Sequence, residues 1–318
     1  MASKRGRGRR SRPDSRRPSR RQGHPARRAE RRAHDASGAP SPREIVHRLA
    51  DGLREVGGAL TDPLEAAMAA SQFCEAWALP EPFDGRDLEA AVGVPVVHRL
   101  EELGGAESLA MLRALEIGAN DGVGVPAMAA ASRLTESGVE DPEWYATARE
   151  IRPVAAARLG EDVFDDGETI IVEFEDAGGQ SFTLGVFIDR ALGGIATNLL
   201  VGASIADHRD EIARQAEDNE EISWIGVHEL DFEAAKRRAL TAMRMTAATF
   251  EPEVGDGFTG LHALVWQRLR DLPGAEPDDD DGPEAVPDDV RRAVADAFFA
   301  SDHGRAWSAP AAGASSDA

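Results

Sequence analysis

The sequence predicts an α+β fold, with a helical N-terminal half followed by a small, mostly antiparallel sheet with covering helices. Between residues 41 and 160, helix-start signatures recur and apolar side chains repeat with helical period. From residue 169 onward, runs rich in β-branched and aromatic residues alternate apolar and polar positions, the period of a half-buried strand. At both ends this patterning stops. A basic N-terminal tail and an acidic C-terminal linker flank the body, and both compositions predict disorder.

The tail, residues 1–40, opens MASKRGRGRRSRPDSRRPSRRQGHPARRAERR and holds no leucine, isoleucine, valine or aromatic residue there. Residues 1–33 carry fourteen Lys and Arg against two acids, Asp14 and Glu30. The whole chain has 36 basic and 57 acidic residues, so 22 stand against 55 in the remainder, a net charge of −33. A segment without large apolar side chains cannot offset the entropy of ordering its backbone. With it and the polar C-terminus set aside, about 230 residues are left, enough for one large or two small domains.

Residues 41–160 are expected to be helical. Ser41-Pro42-Arg43-Glu44 and Asp62-Pro63-Leu64-Glu65 each place a capping side chain before proline at the first helical position and glutamate at the third. Asp141-Pro142-Glu143 predicts another start, and Leu109, Leu112, Leu115 and Ile117 form an apolar stripe between them. An α+β domain follows over 161–273. Its strands are expected at 169–175, 181–189 and 195–202, joined by the DAGGQ turn and the break at Ala191-Leu192-Gly193-Gly194. Ile170, Val172 and Phe174, and then Phe182, Leu184, Val186 and Ile188, alternate with more polar neighbours, and the short connections predict an antiparallel meander. An acid-rich helix (204–218), a short strand in SWIGVHEL (223–230), a helix capped by Asp231 and a last amphipathic helix before Pro273 complete the domain. The acidic linker, 274–289, carries eight acids, three prolines and no base. Beyond it VRRAVADAFFAS, within 290–303, places Val290, Val294, Ala297 and Phe298 on one helical face, and 304–318 reads as disordered.

Targeting signals fail on their physics. Arg16-Arg17 and Arg20-Arg21 are not followed by an apolar stretch, and the tail offers no amphipathic face for organelle import. The longest nearly apolar run, AVGVPVV at 91–97, falls far below the roughly 18 residues a membrane span needs. Cys74 is the only cysteine, which excludes an intrachain disulfide and a multi-thiolate zinc site. Between Phe73 and Trp77 it reads as a small core residue.

Several stretches resemble functional motifs and are explained more simply. GDGFTG at 255–260 fits the dinucleotide-binding pattern, but no strand delivers the chain into it and no second strand follows, so Thr259 as a helix cap accounts for it. Asp162 to Gly167 with Glu173 departs from a calcium loop by placing phenylalanine at the third position, and Asp278 to Asp281 read as solvated linker. Asp207-His208-Arg209-Asp210-Glu211, His228-Glu229 and Asp189 concentrate histidine and carboxylate, yet helical geometry turns His208 about 100° from Asp207. A solvated acidic face is the expectation, and it turns on whether Asp189, Asp207, His208 and His228 converge. Lys236, Arg237, Arg238 and Arg244 form a basic cluster read as an ordinary outward helix face. The residues therefore nominate no catalytic group, no cofactor and no metal site.

The tail remains. Arginine interleaved with Gly, Ser and Pro, and lacking aromatics for base stacking, is suited to neutralising phosphates without reading sequence. The residues assigned to nucleic-acid contact are Arg5, Arg7, Arg9, Arg10, Arg12, Arg16, Arg17, Arg20 and Arg21. The function expected is a cytoplasmic, non-enzymatic binding protein with a nucleic-acid-contacting tail and no membrane association. One alternative is a protein-interaction or regulatory module whose tail pairs with an acidic surface and whose C-terminal helix holds a protein partner. Another is an enzyme or metal-binding protein built on the sheet's acidic rim. Limited trypsin digestion is expected to remove the tail first, because nothing in residues 1–40 can anchor it by burial. Protection of that segment while the body is cut contradicts the expected disorder.

Overall fold

The computed structural model describes residues 41–79, 88–160, 167–218, 226–249 and 252–277. The tail, the acidic run from Asp278, the C-terminal helix and the final residues expected above lie outside them. The chain is α+β. Helices α1 (Pro42–Ala59), α2 (Pro63–Phe73), α3 (Val94–Leu103), α4 (Gly105–Gly118), α5 (Asp121–Glu136) and α6 (Glu143–Ala148) precede the sheet. Its strands are β1 (Arg152–Leu159), β2 (Gly167–Glu175), β3 (Ser181–Asp189), β4 (Ile195–Gly202) and β5 (Val227–Glu229). Helix α7 (Ile205–Asp218) lies between β4 and β5 in sequence, and α8 (Phe232–Ala248) and α9 (Phe258–Arg270) come after β5.

The helix starts expected at Ser41, Asp62 and Asp231 are present, the first as a reciprocal pair of contacts. The Ser41 amide donates to Glu44 Oε2 at 2.7 Å, and the Glu44 amide donates to Ser41 Oγ at 3.3 Å. Asp62 Oδ1 accepts from the amides of Leu64 and Glu65, and Asp231 Oδ1 accepts from Ala234. At α6 the expectation fails in one respect, since Asp141 does not cap the helix. Its carboxylate instead takes two hydrogen bonds from Arg113, which also binds Glu116 and lies 4.2 Å over the Tyr145 ring. Tyr145 donates to Glu116, and burial together with that bond pushes its hydroxyl up to about 12.

The sheet order is β4-β3-β2-β1-β5, and every neighbouring pair is antiparallel. The β2–β3–β4 meander is the one expected, with Ile170 opposite Val186 and Val186 opposite Leu199. Strand β1 departs from the expectation that residues 41–160 are helical. Its RPVAAARL sequence is alanine-rich, with Val154 its one β-branched residue, so it carries little of the composition that marks a strand. It pairs centrally all the same, and Pro153 sits where the register shifts, a position that does not require its missing N–H.

The alternation of β2 and β3 buries Ile170, Val172, Phe174, Phe182, Leu184, Val186 and Ile188 beneath α8 and α9, against Leu240, Met243, Phe258 and Leu264. On the other face Ile171 and Ala157 meet Ile205 of α7. A second apolar cluster gathers α2 to α6 around Leu100, Leu109, Leu112 and Leu115. Two helices contribute buried residues to both clusters, and Ile117 of α4, partly buried, packs against both as well. Ala66 and Ala70 of α2 face the helices while Ala67 faces the sheet; in α9, Ala263 does the former and Leu264 and Val265 the latter. Buried Ser71 joins them directly, accepting from the Leu264 amide at 3.1 Å. Gly118 lets α4 approach α2, since a Cβ there would lie 2.2 Å from the Ala67 carbonyl oxygen.

Leu264→Ala is expected to lower stability by about 2–5 kcal/mol, the range for a fully buried leucine. It should do so in one denaturant transition seen alike by helical and aromatic signals. Two transitions, or a loss below about 1 kcal/mol, contradict the shared core.

Candidate functional site

Asp189, Asp207, His208 and His228 do not converge, although the two nominated segments meet at their edge, where Arg209 of α7 lies 3.9 Å from Glu229 of β5. Asp189, at the end of β3, accepts from the Leu192 amide and closes the β3–β4 turn. Asp207 forms a reciprocal cap with Ser204, its carboxylate accepting from the Ser204 amide and hydroxyl while its own amide donates to Ser204 Oγ. These bonds hold the Asp207 carboxyl below its ordinary pKa. His208 Nε2 lies 3.1 Å from Thr183 Oγ1, six residues along β3 from Asp189 and so about 20 Å from it. His228 lies on β5, across β1 and β2 from β3. Among the described residues no group of three or more His, Cys, Asp or Glu is placed to hold a metal. The tail arginines, Asp162 to Asp166 and Asp278 to Asp281 lie outside the described residues.

Two of the three glycines of GDGFTG, Gly255 and Gly257, answer to local geometry. Gly257 takes φ +89° immediately before α9, a left-handed conformation that side-chain-bearing residues rarely adopt, and a Cβ on Gly255 would crowd Asn198 of β4. Thr259 is not the cap expected from sequence. It is already inside α9, and its hydroxyl donates to Glu75. Cys74 is buried as expected, 3.9 Å from Asn120 Oδ1, and burial pushes its thiol up to about 12, which leaves it unreactive.

The basic cluster of α8 is not the outward face that its helical position implied. Lys236 is buried, and its Nζ donates to the carbonyls of Arg270, Leu272 and Gly274, which caps the C-terminal end of α9. Arg238 reaches Glu168 of β2. That carboxylate is 5% exposed and also sits 3.0 Å from Arg190 and 3.9 Å from Arg158. Arg244 donates to the Pro277 carbonyl and pairs with Glu276, which Arg270 holds from the other side at 3.1 Å. Arg237 is the member of the four that faces outward, exposed to solvent.

These contacts place Arg244 at the rim of a pocket of about 380 Å³ between α8 and α9, lined by Met243, Arg244, Ala247, Ala248, His262 and Trp266. Its aromatic wall arises from spacing. Phe258, His262 and Trp266 are four residues apart on α9, with Phe258 and His262 rings 5.8 Å apart and His262 and Trp266 stacked at 6.0 Å. The Arg244 guanidinium lies 5.9 Å from the Trp266 ring. Burial pushes His262 down from 6.5 to about 4, so at neutral pH it is an uncharged aromatic surface. No carboxylate or nucleophile lines the pocket among the described residues, and its walls suit an apolar or aromatic group. Sequence reasoning missed His262 and Trp266 as a pair, although their spacing in LHALVWQRLRDL was present as a signal.

Comparison with protein-family models, with curated proteins and with solved structures gave no match. The class that the fold defines is thus architectural: an α+β protein with a five-stranded antiparallel sheet and an apolar pocket between its last two described helices. No helix among the described residues is long and apolar enough to cross a membrane.

The depressed His262 pKa has a signed consequence for stability. The unfolded chain binds a proton near pH 6.5 and the folded one only near 4, so stability is full above 6.5 and falls as pH drops from 6.5 to 4. The loss at this site is at most about 3 kcal/mol. Urea titrations of the protein and of His262→Phe at pH 7 and pH 4.5 are expected to show a smaller acid loss in the variant. Equal losses contradict an imidazole that the fold holds neutral.

Proposed function

We propose that this is a cytoplasmic, non-enzymatic binding protein whose basic tail contacts nucleic acid without sequence specificity. The observation that carries this is the segregation of charge, with fourteen basic residues in 1–33 on a chain whose remainder is −33. The body adds support. Three of the four cations in its basic cluster, Lys236, Arg238 and Arg244, are engaged by carbonyls and carboxylates of the same chain. Arg113, Arg133 and Arg152 pair likewise with Asp141, Glu101 and Glu175. An acidic body repels a polyanion, and the arginines from Arg5 to Arg21 are the group suited to phosphate contact.

Full-length protein is expected to bind DNA of unrelated sequences with similar affinity, and deletion of residues 1–33 to abolish that binding. If roughly six to eight arginines reach phosphates, log affinity falls with log salt with a slope of about −5 to −7. A deletion variant that binds as well as the full chain overturns the proposal. The alternative, a tail held by an acidic protein surface, gains support from the opposed charges of tail and body. It predicts DNA binding that is absent at low salt and appears only at intermediate salt.

A further inference from the structure

The chain leaves the described residues beside the α8–α9 pocket, travelling toward it. After α9 the Gly274 carbonyl rests on Lys236 and the Pro277 carbonyl on Arg244. Lys236 and Arg244 are eight residues, about 12 Å, apart along α8. Residues 274–277 therefore run extended in the direction of the helix, toward Ala247 and Ala248, which line the pocket. Pro277 is buried, and the Glu276 carboxylate is clamped by Arg244 and Arg270, so the exit point is held from two sides.

We propose that this pocket seats the chain's own C-terminal amphipathic segment, residues 290–301, with Phe298 entering between Ala248 and Trp266. The match is chemical first. The pocket wall is Met243, Ala247, Ala248, His262 and Trp266, and the segment brings Val290, Val294, Ala297 and Phe298 on a single helical face. A two-phenylalanine segment left without a seat would expose a large apolar surface.

Tether length selects this occupant over a free partner. The linker of residues 278–289 spans at most about 40 Å when extended, and it begins one residue beyond Pro277 at the pocket rim. A tether this short holds the segment at an effective concentration on the order of millimolar, well above that of most free proteins. Charge acts in the same direction. Arg292 lies opposite the apolar face of the segment, where it would meet a body that is strongly acidic, and Arg291 flanks Phe298 one heptad away, whereas the pocket's own cation, Arg244, is already neutralised by Glu276.

Disulfide trapping in the full-length chain tests the seat. Ala248 is exposed, so Ala248→Cys does not disturb the core, and buried Cys74 stays out of the exchange. In a glutathione redox buffer, the chain carrying Ala248→Cys and Ala297→Cys is expected to close an intramolecular bond at least tenfold faster than one carrying Ala248→Cys and Ala312→Cys. Tether length alone accounts for only about a twofold difference. Adding Phe298→Asp is expected to reduce the fast rate to that of the control. Equal rates in the two pairs overturn the proposal. So do disulfide-linked dimers in place of closed monomers, which would make a second copy the occupant, and so does a rate that Phe298→Asp leaves unchanged.

Discussion

The contact between α2 and α9 is the constraint on which the rest of the structure depends. A helix near the end of the described chain packs against one near its beginning, and each presents one flank to the helical cluster and the other to the sheet. The Ser71 hydroxyl accepting from the Leu264 amide fixes their register at a fully buried point, where losing the acceptor would leave nothing to replace it. Each stretch of α9, once placed, has its own partner. The C-terminal carbonyls meet Lys236, the Phe258–His262–Trp266 row forms the pocket wall, and the exit sends residues 274–277 along α8.

The same packing decides where positive charge is free to act. A lysine with its ammonium buried among three carbonyls cannot also serve a phosphate, and a buried carboxylate such as Glu168 is stable only with cations drawn close to it. The fold thus engages Lys236, Arg190 and Arg238 as internal ties. That engagement of the body's cations is why the proposal looks to the arginines of the tail for polyanion contact.

Much of the architecture was legible because it rests on short-range rules. Alternation in Ile170–Phe174 and Phe182–Ile188 gave the core face of the sheet, and Ser41, Asp62 and Asp231 marked helix starts through side chains that bond three residues away. What was not legible depended on long-range contacts. Strand β1 is centred on Ala155–Ala157, whose strand character comes from flanking β2 and β5, not from their own side chains. Helical period gave the face of α8 bearing Lys236, but that face is covered by residues 270–274, more than thirty positions later. The candidate site divides in the same way. Tail composition is a local property and was plain, whereas the pocket exists only because α9 lies across α8, which no spacing within either helix encodes.

Native-state hydrogen exchange tests the central claim, that α2 and α9 make the helical and sheet clusters one cooperative unit. Amides of Leu112 and Leu115 in α4 and of Val172 and Leu184 in β2 and β3 are buried in the two different clusters. The account predicts that they exchange through a common opening, with the same free energy and the same denaturant dependence. A helical cluster that opens about 2 kcal/mol or more below the sheet, with its own smaller dependence, would contradict it.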